Sequence, residues 1–300
     1  MSLNLHHLRV FAAVAESGGF SRAAVALRLS QPAVSKSVRE LEREVGLALF
    51  DRAGRTPRLT DAGSTLLTRA RELFGVERLA EDELGSLRGL ERGVLRAGAS
   101  TTVATYFLPQ LLARFHERYP GVLLRVLSAN TRAVARRLLE GRLDIALVEG
   151  PVEHERIAAV RWLEDELVVI APATHRLVRR RSVRVAELKD EPFILREPGS
   201  GTRTVAEAAL AEHGIHPAAG LQLGSTEAIK QAVAAGLGLA LVSRVAAADQ
   251  LALGYIAVLK LTGMTVVRPL TELRLAGRSD SATTHAFREI MNAAYPARHG

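Results

Sequence analysis

The 300-residue sequence contains no cysteine, which excludes disulfides, zinc–thiolate sites and cysteine nucleophiles. Its nine histidines show no spacing typical of a metal site, and the adjacent His6 and His7 cannot share a helix face. No run approaches the ~18 apolar residues that predict a membrane span, and the N-terminus lacks a basic-then-apolar signal pattern. We therefore expect no metal, no membrane association and a location in the cytoplasm.

Signatures of catalysis and of cofactor binding are missing as well. Ser200 follows Pro198 and Gly199, so proline stands where the first glycine of G-x-S-x-G belongs. The segment Gly236-Leu237-Gly238 lacks the third glycine of a dinucleotide fingerprint and follows a predicted helix instead of a strand. No P-loop is present. The sequence therefore predicts a protein that is not an enzyme and that needs no cofactor.

Positive charge is what the chain has in excess. The formal net charge is +8 and 48% of residues are hydrophobic, which fits a folded protein with a polyanionic partner, either nucleic acid or an anionic membrane. In residues 1–60, nine cations minus five acids leave +4: Arg9, Arg22, Arg28, Lys36, Arg39, Arg43, Arg52, Arg55 and Arg58 against Glu16, Glu40, Glu42, Glu44 and Asp51. The length suggests two or three domains.

Residues 20–46 are predicted to form two helices joined by a tight turn. Ser21 and Ser30 are the expected N-caps, and Pro32 fits the first turn of the second helix, where amides lack intrahelical partners. Steps of four and three separate an apolar face from a polar one, Val34, Val38, Leu41 and Val45 against Gln31, Ser35, Lys36, Arg39 and Arg43. Such a helix can pack on a core and enter a DNA major groove. An ordinary amphipathic surface helix is the alternative.

A short hairpin is predicted next. Phe50 and Leu59 suit a small core, Gly54 indicates a turn, and positive charge around it comes from Arg52, Arg55 and Arg58. This order is typical of the wing of a winged helix-turn-helix. The pattern A-A-x-x-L-x-x-S-Q-P-A-V-S-x-x-V-x-x-L-E-x-x-V-G-x-x-L-F-x-R, followed by L-T-x-A-G, spans about the first 65 residues. It resembles the N-terminal domain of the LysR-type transcriptional regulators.

The resemblance implies which residues contact DNA. The major groove would receive the start of the second helix, where glutamine can pair with adenine and lysine with guanine or phosphate: Gln31, Pro32, Ser35 and Lys36. Arg55 would reach phosphates or the minor groove from the wing. Two further candidates keep an alternative role, Arg39 as a solvated partner of Glu42 and Arg52 as a structural brace of the wing.

One long helix is predicted from Ala62 to about Leu90. Its seam alternates steps of four and three and is broken once, at Glu77: Leu66, Ala70, Leu73, Glu77, Ala80, Leu84 and Leu87. A narrow seam is poorly buried by its own chain, so we predict pairing with a second copy, as the linker helix of the resembled family does. A helix lying on its own domain is the alternative. Gly89 and Gly93 indicate a hinge near 88–93.

From Gly93 onward, short apolar strands alternate with helices, which favours parallel sheets covered by helices. With the resemblance, the fold class is α/β with an α-rich winged helix-turn-helix head, a long linker helix and a two-lobed effector domain like the type 2 periplasmic binding proteins. The crossovers between lobes are implied by the resemblance alone. The predicted domains are 1–61 (DNA binding), 62–92 (linker and hinge) and 93–300 (effector), with lobe I at about 93–163 and 267–300 and lobe II at about 164–266.

The resemblance also implies an effector site between the lobes. Three strand-to-helix junctions carry hydroxyls and free helix amides, which suit an anion; their candidate residues are Ser100, Thr101, Thr102, Thr131, Ser200, Gly201 and Thr202. Simple helix capping is the alternative for each. Arg196 and Arg203 could add charge-assisted contacts. Val148 and Glu149 end a strand at the same place, and a glutamate there departs from a pocket for anions alone.

The sequence therefore predicts a sequence-specific transcriptional regulator modulated by an anionic small-molecule effector. Its expected partners are double-stranded DNA with a dyad-symmetric operator, the effector, a second copy in a homodimer or homotetramer, and RNA polymerase. A solute-binding receptor or an effector-independent DNA-binding protein is the alternative. The segment R-E-P-G-S-G-T-R is similar to one in family members that control carbon and sulfur assimilation.

Overall fold

The computed structural model describes residues 3–51, 56–86, 93–217 and 220–295. By its internal contacts the chain divides into two compact units, Met1–Glu81 and Asp82–Gly300. The domain boundaries expected at 61/62 and 92/93 stay predictions. Gly89, which was expected at a hinge, lies outside the described residues, as do Leu87 of the heptad seam and Arg52 and Arg55 of the wing.

The first unit is a three-helix head with a two-stranded hairpin and the start of a long helix. Its elements are α1 (Leu5–Ser17), α2 (Phe20–Leu27), α3 (Gln31–Val45), β1 (Phe50–Asp51), β2 (Arg58–Leu59) and α4 (Asp61–Ser86). The two strands pair antiparallel, with Phe50 opposite Leu59. The winged helix-turn-helix predicted from the sequence is confirmed.

Helix capping follows the sequence at one of the two expected positions. The Ser30 side chain accepts a hydrogen bond from the Ala33 amide at 3.3 Å and begins α3, as predicted. Ser21 is not an N-cap: α2 begins at Phe20, with Gly19 in the cap position. Gly19 takes the extended backbone that lets the helix start directly after the turn, so Ser21 already lies in the first turn.

The core of the head joins all its helices. Three rings cluster where the hairpin meets α1 and α2, with Phe50 5.4 Å from Phe11 and 5.6 Å from Phe20 between ring centroids. The start of α4 closes this core through its buried Ala70 and the neighbouring Leu67 and Phe74. Gly63 is required there, because a Cβ at that position would overlap the carbonyl oxygen of Leu49.

The second unit alternates strands and helices as the sequence predicts. Its elements are β3 (Gly93–Ser100), α5 (Thr101–Tyr106), α6 (Leu108–Arg118), β4 (Val122–Ala129), α7 (Thr131–Leu139), β5 (Ile145–Glu149), β6 (Ile157–Pro172), β7 (Val183–Arg184), β8 (Ile194–Arg196), α8 (Gly201–Ala211), β9 (Leu221–Leu223), α9 (Thr226–Ala234), β10 (Ala240–Ser243), α10 (Arg244–Ala252), β11 (Ile256–Val258), β12 (Leu261–Thr262), β13 (Val266–Leu275) and α11 (Ala282–Ala294). Two helices follow β3, because Phe107 ends α5 and Pro109 lies at the start of α6.

Two long strands connect the lobes. The main sheet has the order β10-β6-β13-β5-β3-β4, with β11 also on β6. In lobe I, β3 runs parallel to both β4 and β5. The 16-residue β6 pairs antiparallel with β13 over its first part and with β10 and β11 of lobe II over its last part. The two-lobed architecture with two crossovers is confirmed.

Each lobe buries apolar residues on both faces of its part of the sheet. In lobe I, α5, α6 and α11 cover one face around Phe115 and Phe287, and α7 covers the other around Val134 and Leu138. The junctions that end β3, β4 and β5 therefore lie at one edge, with α5 and α7 leaving on opposite faces. No single described helix is long and apolar enough to cross a membrane; α1 and α2 reach that length and composition only as a pair bent by 120°.

Candidate functional site

The start of α3 presents the predicted polar face to solvent. Gln31 is exposed, and its amide donates to the Ser35 hydroxyl at 3.2 Å. Lys36 is 74% exposed, with Glu40 3.8 Å away. Pro32 is exposed in the first turn. Behind this face, Val34, Val38 and Leu41 are fully buried. The amphipathic division of α3 is therefore the one that the periodicity predicts.

Arg39 does not pair with Glu42. Its Nε donates to the Ser35 carbonyl at 3.3 Å, which lays the guanidinium back along the helix. The Glu42 carboxylate accepts instead from the amides of Leu49 and Phe50, at 3.0 and 3.3 Å. Glu42 thereby fixes the entry of the wing to the base of α3.

The two other glutamates of α3 are used in the same way. His7 lies between them, with Nε2 3.1 Å from Glu40 and Nδ1 3.1 Å from Glu44. The Asn4 amide also donates to Glu44, at 3.3 Å. All three acids of α3 are thus turned toward the rest of the head. Its exposed cations, Lys36, Arg39 and Arg43, face solvent with little compensating negative charge, as an anion-binding face requires.

The junctions of the second unit meet around Glu149. This carboxylate is 1% exposed and accepts a hydrogen bond from the Ser100 hydroxyl of lobe I. It also accepts from the Thr202 hydroxyl of lobe II, at 3.0 Å. The protein's own carboxylate therefore occupies the position between the two junctions where an anionic ligand was expected.

A buried arginine balances that charge. Arg268 of β13 is 1% exposed, donates from Nε to Asp165 at 2.8 Å and donates from Nη1 to Thr202 at 2.8 Å. Its Nη1 lies 3.9 Å from Glu149. Asp165 also accepts from the Ser243 hydroxyl at 2.6 Å. Two carboxylates share one guanidinium, so this cluster keeps an excess of negative charge that disfavours a further anion at the same point.

The lobes also touch directly beside Glu149. The Thr131 hydroxyl donates to the Glu149 carbonyl at 2.9 Å and accepts from the Gly201 amide at 3.3 Å. A Cβ at Gly201 would overlap the Glu149 carbonyl oxygen, so only glycine permits this approach. Ser200 is the N-cap of α8, since its hydroxyl accepts a hydrogen bond from the Arg203 amide at 3.5 Å, so the alternative of simple helix capping describes this residue. The side chain of Val148 packs in the core under α7, so only its backbone is near the cleft.

Arg196 joins the lobes on the α5 side. It is 3% exposed and donates to the hydroxyls of Thr101 and Thr226, at 2.9 and 3.3 Å. The Glu197 carboxylate receives its two remaining bonds, at 2.8 and 3.0 Å. Beside Thr101, the hydroxyl of Thr102 is buried and has no hydrogen-bond partner among the residues that the structure describes. A buried unpaired hydroxyl costs free energy that a ligand acceptor would recover.

A third contact between the lobes lies at the far end of α5. The Tyr106 hydroxyl donates to the Glu227 carboxylate, and the Lys230 ammonium lies 2.7 Å from the same carboxylate. Burial first, and then this hydrogen bond, raise the pKa of Tyr106. Burial acts to raise the pKa of Glu227, but the hydrogen bonds from Lys230 and Tyr106 outweigh it and lower that pKa. Lys230 also donates to the Ala246 carbonyl at 2.6 Å, so this cation is already committed within the protein.

Two functional residues were missed by sequence reasoning. Arg268 and Asp165 complete the buried cluster, yet they lie 103 positions apart in the chain. The available signal was a charged residue within or directly before an apolar run, Arg268 in V-V-R-P-L and Asp165 in L-E-D-E-L. Charged residues at buried strand positions are almost always paired, so Arg268 and Asp165 each indicated a partner of opposite charge on a neighbouring element. In the described ranges, no three His, Cys, Asp or Glu side chains cluster as metal ligands.

Two family models match the chain. Residues 5–64 match the model described as "Bacterial regulatory helix-turn-helix protein, lysR family", and residues 88–296 match "LysR substrate binding domain". The RuBisCO operon transcriptional regulator of Acidithiobacillus ferrooxidans is 37% identical over 290 residues, which cover 97% of this chain and 94% of the relative.

Solved structures agree with this assignment. The regulatory domain of CcmR from Synechocystis PCC6803, in complex with 2-PG, is 31% identical with a TM-score of 0.65 and covers 69% of this chain and 99% of its own. Full-length CbnR complexed with its target DNA has a TM-score of 0.67 at 22% identity, covers 97% of this chain and 99% of its own, and supports the fold alone.

Proposed function

The chain belongs to the LysR family of transcriptional regulators, and on that premise we propose which residues read DNA, bind the effector and assemble the protein. It is a DNA-binding transcriptional regulator that a small-molecule effector modulates, and it is not an enzyme. The alternative of a solute-binding receptor leaves the helix-turn-helix head without a role. The cytoplasm, where the DNA is, is the location that fits this role.

The operator would be read by the exposed start of α3 and by the wing. We propose base contacts from Gln31, Pro32 and Ser35, and base or phosphate contacts from Lys36 and Arg39. From the wing we add phosphate or minor-groove contacts by two residues outside the described ranges, Arg52 and Arg55. The supporting observation is that the three glutamates of α3 are engaged inside the head, which leaves a cationic face.

Selection of bound duplexes from a random DNA pool tests this assignment. We expect the wild-type chain to enrich a dyad-symmetric sequence, because two heads of a homodimer or homotetramer would bind as one unit. Exposed apolar residues along α4, including Leu73, Val76 and Leu84, support pairing of two copies through that helix. A pool that shows no enrichment would contradict sequence-specific reading.

Contact with RNA polymerase is part of the same proposal, because a regulator acts by changing the access of that enzyme to a promoter.

For the effector we propose an anion that binds between the lobes on the α5 side. Its contacts would come from Ser100, Thr101 and Thr102, and the inter-lobe contact beside them comprises Thr131, Glu149, Ser200, Gly201 and Thr202 with the backbone of Val148. The carrying observation is the buried, unpaired hydroxyl of Thr102 next to the Thr101–Arg196 bond. An effector carboxylate or phosphate would replace the partly exposed Glu197 on Arg196, away from the excess negative charge at Glu149.

Relatives indicate which anion to try first. One relative regulates a RuBisCO operon and another binds 2-PG, so we propose a phosphorylated or carboxylated metabolite of carbon assimilation. Isothermal titration with 2-PG should show binding that Thr102→Val weakens by roughly tenfold, the effect of about one charge-assisted hydrogen bond. Thr105→Val is the matched control, since Thr105 is exposed on the same helix. Equal binding by wild type and Thr102→Val would contradict this site.

A further inference from the structure

A separate cavity opens on the α7 face of the junction between the lobes. Its volume is about 350 Å³, within the range of small-molecule sites. Lobe I contributes Arg132 and Arg136 of α7 and the segment 151–154, and lobe II contributes Gly199 and Thr204. The contact between Thr131, Gly201 and the Glu149 carbonyl forms its floor. Because α5 and α7 leave the sheet on opposite faces and Arg196 is not among the lining residues, this cavity is distinct from the proposed effector site at Arg196.

The side chains of Arg132 and Arg136, the two arginines of the cavity, make no hydrogen bond or ion pair with the described residues. They lie four residues apart on α7 and therefore project from the same side of the helix. Among the described residues, neither guanidinium has a hydrogen bond or an ion pair. Their neighbour Arg137 differs, with its Nη1 3.6 Å from Glu140. Arginines without acidic partners at the edge of a cavity are suited to receive anionic oxygens from a ligand.

The backbone under these arginines is held in place from both lobes. The Arg132 amide donates to the Gly199 carbonyl at 3.1 Å. The Arg132 side chain also lies against Gly199, since a Cβ built there would be 3.1 Å from the Arg132 Cβ. Gly199 has a φ of +93°, a backbone that favours glycine. The position of Arg132 at the lobe boundary therefore depends on the closed contact between lobes.

The charge of the lining favours an anion. Arg132 and Arg136 outweigh the single carboxylate of Glu153, and His154 lies beside it. The hydroxyl of Thr204 donates to the Ser200 carbonyl at 3.3 Å, and by rotating it can donate its proton to a ligand oxygen instead. Nearby, the N-terminus of α7 adds partial positive charge to the same region.

We propose that this cavity is a second ligand site, specific for a small dianion such as a phosphate ester or a dicarboxylate. The guanidinium groups of Arg132 and Arg136 would hold its oxygens from lobe I, and Thr204 would contact it from lobe II. A ligand that touches both lobes favours their closed arrangement by its differential affinity. This site would therefore act on the same lobe equilibrium as the effector, from the opposite face of the sheet.

Titration of the full chain with inorganic phosphate, and separately with malonate, tests the proposal. We expect at least one probe to bind, and Arg132→Gln or Arg136→Gln to weaken it by about tenfold or more, the effect of one lost charge-assisted contact. Arg137→Gln is the matched control on the same helix and should bind as wild type does. Thermal unfolding of each variant confirms that it is folded, and the preferred probe identifies phosphate or dicarboxylate as the ligand class.

Three results would overturn the inference. They are no binding of either probe, unchanged binding by both Arg132→Gln and Arg136→Gln, and equal weakening by Arg137→Gln. Failure here is distinguishable from failure of the effector site at Arg196. Binding of 2-PG that depends on Thr102 but not on Arg132 supports the effector site alone, whereas phosphate binding that depends on Arg132 but not on Thr102 supports this cavity alone.

Discussion

The α3 face of the head and the junction between the lobes use the same residue types in opposite surroundings. On α3, Lys36 is 74% exposed and its nearest acid is 3.8 Å away. Between the lobes, Arg268 is 1% exposed and has acceptors at 2.8 Å on two residues. The exposed cation is available to a partner molecule, whereas the buried one is committed to the protein's own carboxylates.

This difference in burial separates residues that bind a partner molecule from residues that stabilise the folded protein. A solvated cation contributes little to folding, because its surface ion pairs are worth ~0–1 kcal/mol. Removal of a buried cation costs more, because it leaves its partner carboxylates buried and unpaired, which is penalised by several kcal/mol. Substitutions on α3 should therefore change DNA binding without changing stability. Substitutions at the junction between the lobes should change stability without changing DNA binding by the head.

The largest effect is expected for Arg268→Met. It leaves Glu149 and Asp165 buried without their cation and should lower the free energy of unfolding by about 3–5 kcal/mol. Urea unfolding followed by circular dichroism measures it. The control is Arg244→Met, whose guanidinium lies 2.5 Å from Glu166 at the surface and should matter by ~0–1 kcal/mol. Similar losses for both variants would break the comparison.

Leu84→Glu tests whether exposed apolar residues of the long helix α4 contribute to DNA binding as well as the charge of the head. Leu84 is 66% exposed on α4, so a charge there should leave the fold intact. If α4 pairs two copies, dissociation should cut operator affinity by about 10²–10⁴, the gain that linked binding provides. Sedimentation velocity and operator titration on the same sample make the test. An unchanged oligomer with unchanged affinity would mean that α4 packs elsewhere.

Gly201→Ala tests how tight the contact between the lobes is, and it does so without changing any charge. The added Cβ would overlap the Glu149 carbonyl oxygen, so the lobes must separate or strain at a cost of about 1–3 kcal/mol. Gly224→Ala provides the matched control, because nothing lies within 4 Å of a Cβ built there. Thermal unfolding should distinguish the two variants, and identical midpoints would show that the contact between the lobes is not tight.

Gln31→Ala and Arg55→Ala test the exposed side of the comparison. Loss of Gln31 should reduce discrimination at one base pair by about 1–3 kcal/mol, whereas loss of Arg55 should weaken binding to every sequence and lower the salt slope by about one. Anisotropy titrations on specific and random duplexes at several salt concentrations separate these effects. Equal losses on both duplexes for Gln31→Ala would refute base reading by that residue.

The smallest effect concerns pH at the surface pair of Arg244 and Glu166. The hydrogen bond from Arg244 lowers the pKa of Glu166 below its usual 4.5. A lowered pKa stabilises the folded state above the unfolded value and loses that contribution as pH falls through the folded pKa. The small stability difference between wild type and Arg244→Met should therefore shrink as the pH falls below 4.5 and vanish once it is below the folded-state pKa of Glu166. A difference that persists there would have to come from packing.

Local patterns predicted most of the head and misplaced little. The stripe of α3 and the Ser30 cap follow from a helical repeat and from one side chain three residues from its partner amide. Ser21 failed as a cap because more than one residue near the turn could begin the helix, and α2 begins at Phe20, directly after the extended Gly19. The break in the heptad seam also has a tertiary cause, since Glu77 accepts two hydrogen bonds from Arg9 at 2.7 and 2.5 Å.

The candidate effector site was predicted in its parts but not in its arrangement. Ser100, Thr101 and Thr131 do lie at one edge of the sheet, because they follow the neighbouring parallel strands β3 and β4, and Thr202 of lobe II meets this edge through Glu149. Their partners were not foreseeable: Arg196 reaches Thr101 across 95 positions, and Thr202 reaches Glu149 across 53. Glu149 was read as a departure from an anion pocket, and the structure shows why, since it supplies the anion itself.

By itself the sequence determined the family, the order of strands and helices and the solvent-facing surface of α3, because each depends on residues within a few turns of one another. Only the tertiary structure decided which charges are spent inside the protein and which remain for a ligand. Arg268 and Lys230 are committed, and Arg132 and Arg136 are not, although all four carry the same charge in the sequence. That distinction depends on distances between segments far apart in the chain, and no local pattern encodes it.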